Sequence, residues 1–249
     1  MTFRFIDHDA NTGNFNMSFD LQLANNCKED EIYFRLYQWK PYALSLGANQ
    51  SIDEVDIERA KNDNIDVVHR PTGGRAILHS EELTYSVVFP LSFGLSPKEI
   101  YQSVSEALIS GLLIYDRRLN QTMLESLQPN FPEILKSKSG SICFASTAKN
   151  EVKFSGKKLI GSAQKKMKNV VLQHGSILCG VKHKDLINYL KLSEASKSEI
   201  IQEMNQKTTE IETILNEKVD YKRLRKCLTL GIEKHFNIKF DNVAATELL

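Results

Sequence analysis

Apolar and polar positions alternate along Leu83-Thr-Tyr-Ser-Val-Val-Phe89, which predicts a strand closed by Pro90. Ile32-Tyr-Phe-Arg-Leu-Tyr-Gln-Trp39, rich in aromatic and β-branched residues, predicts another. Pro41 interrupts it and Tyr42 to Gly47 resumes the alternation, so the two pieces are expected as a hairpin or as neighbouring strands. Ile65–Arg70, Ala76–His79, Glu151–Phe154, Lys158–Ala163 and Val170–Leu178 add further strands. The last two are expected to fold back so that Gln173 to Ile177 lies beside a small-residue turn at Ser162 to Gln164. Asn14 to Asn26 predicts a helix capped by Asn14 or Asn16, and Asp53 to Asn62 a shorter one with acidic residues at its start. Ser96-Pro97-Lys98-Glu99 combines a serine cap, a first-position proline and a third-position glutamate. The helix it opens runs to about Tyr115, with Ile100, Val104, Leu108 and Leu112 on one face. Gln121 to Ser141 has no period and reads as a long connection, and Tyr221 to Phe236 forms a final long helix. The sum is an α+β fold: a mixed or antiparallel sheet core with flanking helices over residues 1–180, and a helical extension over 181–249 packed on it.

Composition narrows the function classes. A formal charge of +1 gives no global field of the kind nucleic-acid binders carry. No apolar run is long enough to span a membrane, and the N-terminal residues are too polar for a signal peptide. The four cysteines, Cys27, Cys143, Cys179 and Cys227, are scattered without a close pair. That argues against zinc and disulfides and for a reducing cytoplasm.

Two stretches carry candidate chemistry. From Cys143 to Gln164 a thiol precedes a strand and a Gly-Lys-Lys turn, and Lys158 supplies the cation that favours a thiolate at neutral pH. A free cysteine is more often a small buried hydrophobe. Arg70-Pro-Thr-Gly-Gly-Arg-Ala-Ile-Leu-His79 sets Gly73 and Gly74 between Arg70 and Arg75, with His79 expected on the face of Arg75. A glycine pair by itself is an ordinary tight turn, and the stretch has neither a Walker nor a Rossmann spacing. Six lysines (153, 157, 158, 165, 166 and 168) fall within sixteen residues, either a solvated face or a local patch for acidic partners.

Together with Asn14–Asp20, Arg35–Pro41, Ser45–Gly47, Gly156–Gln164 and Leu172–Ser176, these stretches resemble, in order, the motifs of the lipoate and octanoate protein-attachment superfamily (biotin/lipoate ligase-like). The resemblance covers roughly residues 10 to 180. It implies an acyl tunnel along Gly73, Gly74 and Arg75, a carbonyl contact from Lys158, and Cys143 as acyl acceptor. Asn150-Glu151-Val152 lacks the aspartate of ATP-dependent ligases, and Cys143-Phe144 stands where cysteine-dependent octanoyltransferases carry theirs, so the transferase is favoured. The implied reaction needs no cofactor or metal. Octanoyl passes from octanoyl-acyl carrier protein to Cys143, then to a lysine of a lipoyl domain such as glycine cleavage H protein or a 2-oxoacid dehydrogenase E2. Gly161, Ser162, Ala163, Gln164 and Gly175 are expected at the substrate, the amides of Ser162 to Gln164 as an oxyanion site. His79 and His174 are candidate orienting groups, each equally readable as structural. Ala76, Leu78, Tyr85, Val87 and Ile160 are expected as tunnel walls. The alternatives are an ATP-dependent lipoate ligase, an amidotransferase between lipoyl domains, and a non-catalytic acyl-binding module with an inert Cys143.

Overall fold

Tyr85, Val87 and Phe89 face one side of their strand and Thr84, Ser86 and Val88 the other, and this alternation organises the molecule. The computed structural model describes residues 1–126 and 150–243. Its large sheet runs β11-β1-β2-β6-β10-β9-β8-β7. The strands are β1 (Thr2–Asn11), β2 (Glu31–Trp39), β6 (Glu82–Pro90), β7 (Thr122–Leu124), β8 (Val152–Phe154), β9 (Lys157–Lys166), β10 (Val170–Leu178) and β11 (Asp241–Asn242). β1 pairs in parallel with β2 and β11, and the remaining pairs are antiparallel. A second sheet, β4-β3-β5, consists of β3 (Ala43–Leu46), β4 (Asp66–His69) and β5 (Ile77–His79). The expected mixed sheet with flanking helices is therefore present.

One face of the large sheet buries Phe3, Phe5, Phe34, Leu36, Tyr85, Val87 and Phe89 against α3 (Pro97–Tyr115) and α6 (Tyr221–Phe236). α3 opens with the expected Ser96/Glu99 capping box and buries Ile100, Val104, Leu108 and Leu112. The two helices cross so closely that a Cβ on Gly231 would lie 2.3 Å from the Gly111 nitrogen. α5 (Ile211–Leu215) adds Ile211 and Leu215 to this same cluster. α4 (Glu194–Lys207) places Ile200 and Met204 against the second sheet instead. The other face of the large sheet carries α1 (Gly13–Asn26) and the second sheet. No helix among the described residues is long and apolar enough to cross a membrane.

Several local expectations change. Thr12 caps α1, its Oγ1 accepting from the Phe15 amide at 3.3 Å. Asn16 turns inward to donate to Asn11 O and Gln38 O. β3 does not pair with β2: Pro41 has no N–H to continue the ladder, and the chain leaves for the second sheet. The expected Asp53–Asn62 helix divides into a 3-10 turn at Ile52–Glu54 and α2 (Ile57–Asn62), which Asp56 caps. Ser162 to Gln164 is strand, not turn, because its small residues pair with β10 through Gly175↔Ser162 and Gln173↔Gln164.

Candidate active site

The row Gly161, Ser176, Thr84 and Tyr37 crosses four paired strands in register, so these residues share one face. Over them lie Ile77 and His79 of β5 and Arg70, and between the two layers is a narrow apolar slot. Met17, Trp39, Ser162, Ala163, His174 and Gly175 complete its lining. Gly175 is required here: a Cβ would meet Gly161 O, Tyr85 Cε1 and Ser162 Oγ within 2.7 Å.

Each slot histidine is held from both sides. His79 Nδ1 lies 2.8 Å from Glu82 Oε1 and its Nε2 2.8 Å from Ser45 Oγ, while its ring stacks on Trp39 at 4.0 Å. Burial would push the Glu82 carboxyl up, but His79 and three hydrogen bonds outweigh it and hold Glu82 below the usual range. His174 Nε2 meets Thr72 Oγ1 at 2.7 Å and its Nδ1 lies 3.5 Å from Asp20 Oδ2. Burial pushes the His174 imidazole down, leaving it neutral at physiological pH. Asp20 also receives Arg35 Nη1 at 2.7 Å and the Tyr37 hydroxyl at 3.0 Å. Burial raises its pKa, but Arg35 and His174 prevail and keep it charged.

Lys158 is 1 % exposed and pairs with Glu151 Oε2 at 3.1 Å. The other Glu151 oxygen accepts from the Ser162 amide at 3.4 Å, so one carboxylate links the ammonium to the slot lining. The Ser162 amide, expected at an oxyanion site, thus faces Glu151. Cys143 lies outside the described residues.

The structure brings Arg70, His79, Gly161, Ser162, Ala163, His174 and Gly175 together on the slot. It sets others elsewhere. Gly73 and Gly74 belong to the loop before β5, which Arg70 staples by donating to Gly73 O at 2.9 Å and Arg75 O at 2.7 Å. Arg75 precedes β5 and points its guanidinium toward Glu54, 3.9 Å away, so it does not share a strand face with His79. Gln164 donates to Pro97 O and Gln173 Oε1, outside the slot. Tyr85, Val87 and Ile160 lie on the opposite face of the large sheet, and Ala76 and Leu78 on the opposite face of β5. All five expected walls are out of phase by one residue, which in a pleated strand exchanges the faces. Sequence reasoning passed over Asp20, Glu82 and Glu151. Asp20 stands between Phe19 and Leu21, but Glu82 follows Ser80-Glu81 and Glu151 lies between Asn150 and Val152-Lys153, so local sequence sets neither glutamate apart.

The sequence profile of the lipoyl protein ligase A/B catalytic domain matches residues 12–233. The chain belongs to that family. Within it, the chain is 33% identical over 250 residues to octanoyltransferase LipM of Staphylococcus epidermidis, covering 98% of this chain and 90% of the relative. It is 33% identical over 247 residues to octanoyltransferase LipM of Bacillus subtilis, covering 96% and 88%. Among lipoyl protein ligase A/B structures, the bipartite lipoate protein ligase of Thermoplasma acidophilum, described with its E2 lipoyl domain, superposes with a TM-score of 0.76 at 22% identity, covering 100% of this chain and 90% of that one.

Proposed function

We infer that this protein is an octanoyltransferase of lipoate biosynthesis working by two successive acyl transfers through Cys143. The observation that carries the reading is the apolar slot ending at Gly161 to Ala163, one carboxylate away from the buried Lys158 ammonium. Six methylenes of an octanoyl chain at about 0.8 kcal/mol each favour such a slot by roughly 5 kcal/mol. The thiols of Cys27, Cys179 and Cys227 are pushed up by burial, Cys27 to about 12, so none of them supplies a thiolate.

The Cys143 thiolate attacks the carbonyl carbon of octanoyl-acyl carrier protein. The bond to the carrier thiol breaks, that thiol leaves with a proton, and an octanoyl thioester remains on the enzyme. The ε-amine of a lipoyl-domain lysine then attacks this thioester, loses its extra proton and displaces the Cys143 thiolate, giving the amide. Lys158 favours the thiolate and stabilises the charge that develops on the carbonyl oxygen.

Intact mass after mixing with octanoyl-acyl carrier protein, without ATP and beside Cys143→Ala, tests this. The expected result is an octanoyl adduct that hydroxylamine removes and the variant lacks. Product formation only from free octanoate with ATP would replace the reading by a ligase.

A further inference from the structure

The loop from Arg70 to Arg75 contributes Arg70 to the slot lining, and its ties run mostly within its own layer. Arg70 bonds Ser45, Gly73 and Arg75, and Thr72 O accepts from the Ala48 amide at 2.9 Å. The contact with the large sheet is different in kind. Thr72 Oγ1 reaches His174 Nε2 of β10 at 2.7 Å, between residues 102 positions apart, and both side chains are buried. The network fixes the direction of this bond. Asp20, kept charged by Arg35, accepts from the Nδ1–H, so Nε2 of the neutral ring is an acceptor and the Thr72 hydroxyl is its donor.

We propose that Thr72 and His174 are a positioning pair: the hydroxyl-to-imidazole bond fixes the height of the loop above the large sheet, and Asp20 acts through His174 by setting its tautomer. The proposal rests on the slot taking a medium acyl chain. His79 ties β5 to the floor through Glu82, and the Thr72 bond ties the loop that carries Arg70; displacement of a bound substrate by about 1 Å is enough to slow a reaction strongly. The hydroxyl is the element needed. Valine fills nearly the same space as threonine but leaves a buried nitrogen without its donor.

Trp39 provides a readout independent of turnover. It is the chain's single tryptophan, lines the slot and stacks on His79. Octanoate titrated against wild type, Thr72→Ser, Thr72→Val and Thr72→Ala, followed by Trp39 fluorescence, tests the pair, with thermal melts showing that each variant is folded. Wild type and Thr72→Ser are expected to share a midpoint, and the other two to need roughly tenfold more octanoate, the scale of one buried hydrogen bond. In the acyl-transfer assay, Thr72→Val should raise KM for the octanoyl donor while Thr72→Ser restores it. Octanoate binding unchanged in Thr72→Val and Thr72→Ala, binding as weak in Thr72→Ser as in Thr72→Val, or no response from wild type would each overturn the proposal. Expected octanoate binding without any adduct on Cys143 would leave the pair standing and remove the transferase reading instead.

Discussion

The Lys158 ammonium lies 3.1 Å from Glu151 Oε2, and both side chains are closed off from solvent. A buried ion pair does not tolerate loss of one member, since the survivor keeps its desolvation cost. Lys158→Met is therefore expected to abolish octanoyl transfer and also to lower stability by about 3 kcal/mol. Adding Glu151→Gln should recover much of the stability and none of the turnover. Thermal melts and single-turnover assays on the single and double variants check this. Full stability in Lys158→Met, or activity in the double variant, would contradict it.

The phase of the pleat gives a second test. Ala163 lines the slot, whereas Ile160 belongs to the core on the opposite face. Ala163→Leu should fill the slot and cut octanoyl transfer more than about tenfold with a small change in melting temperature. Ile160→Ala should do the reverse, costing about 3 kcal/mol of stability with KM nearly unchanged. Equal effects on both quantities in both variants would argue against the observed register.

His8 makes stability pH-dependent. Burial first, and then the Arg35 guanidinium, push its imidazole down from 6.5 to about 4, and its Nδ1 accepts from Arg35 Nε at 2.9 Å. The unfolded chain takes up this proton as pH falls through 6.5, the folded protein only near 4. Its stabilisation is therefore complete above pH 6.5 and fades between 6.5 and about 4. Asp20 and Glu82 are both held below the usual carboxylate range, so they titrate lower than free carboxyls. Urea unfolding of wild type and His8→Gln at pH 7.5 and 4.5 should show a shallower pH dependence in the variant. Identical slopes would refute the assignment.

The six clustered lysines divide by structure. Lys153 pairs with Glu125, Lys157 donates to Asn205 O, and Lys158 is buried, while Lys165, Lys166 and Lys168 stand exposed at the β9–β10 turn. Replacing those three by glutamine should lower kcat/KM for an acidic carrier-protein donor severalfold at low salt and flatten its salt dependence. Activity toward a small octanoyl thioester should not change. An unaltered salt profile would exclude the turn as an electrostatic guide.

Gly231→Ala places a methyl group 2.3 Å from the Gly111 nitrogen. Helix propensity favours alanine by about 1 kcal/mol, but forcing α3 and α6 apart costs more, so a net loss of about 2 kcal/mol is expected. A melting temperature equal to or above wild type would show that the helices separate freely.

Elements with a strong local signal were legible from the sequence. The Ser96 box, the Tyr221–Phe236 helix and the pairing of β9 with β10 appear as read, save that Ser162 to Gln164 is strand rather than turn, because each is specified by neighbouring residues. β1 was not read, although Phe3 and Phe5 alternate in it, because Ile6 breaks that alternation, most of its remaining positions are polar and its partners are distant in sequence. The pairing of β3 was missed because alternation identifies a strand without naming its sheet. The site divides in the same way. Glycine and histidine motifs announced the slot, but its wall phase depended on which face the second sheet covers. Asp20, Glu82 and Glu151 gain their meaning from partners that only the folded chain supplies.

The parallel pairing of β1 with β11, through Arg4↔Asp241 and Phe5↔Asn242, has a consequence during synthesis. β1 is made well before β11, since that one of its two neighbours follows more than two hundred residues later. Until then that flank has unpaired backbone donors and acceptors, the kind of edge on which nascent chains join one another. Arg4, Asp7 and Asp9 place charges along this strand. Such charges guard a newborn edge against association while it waits for its partner.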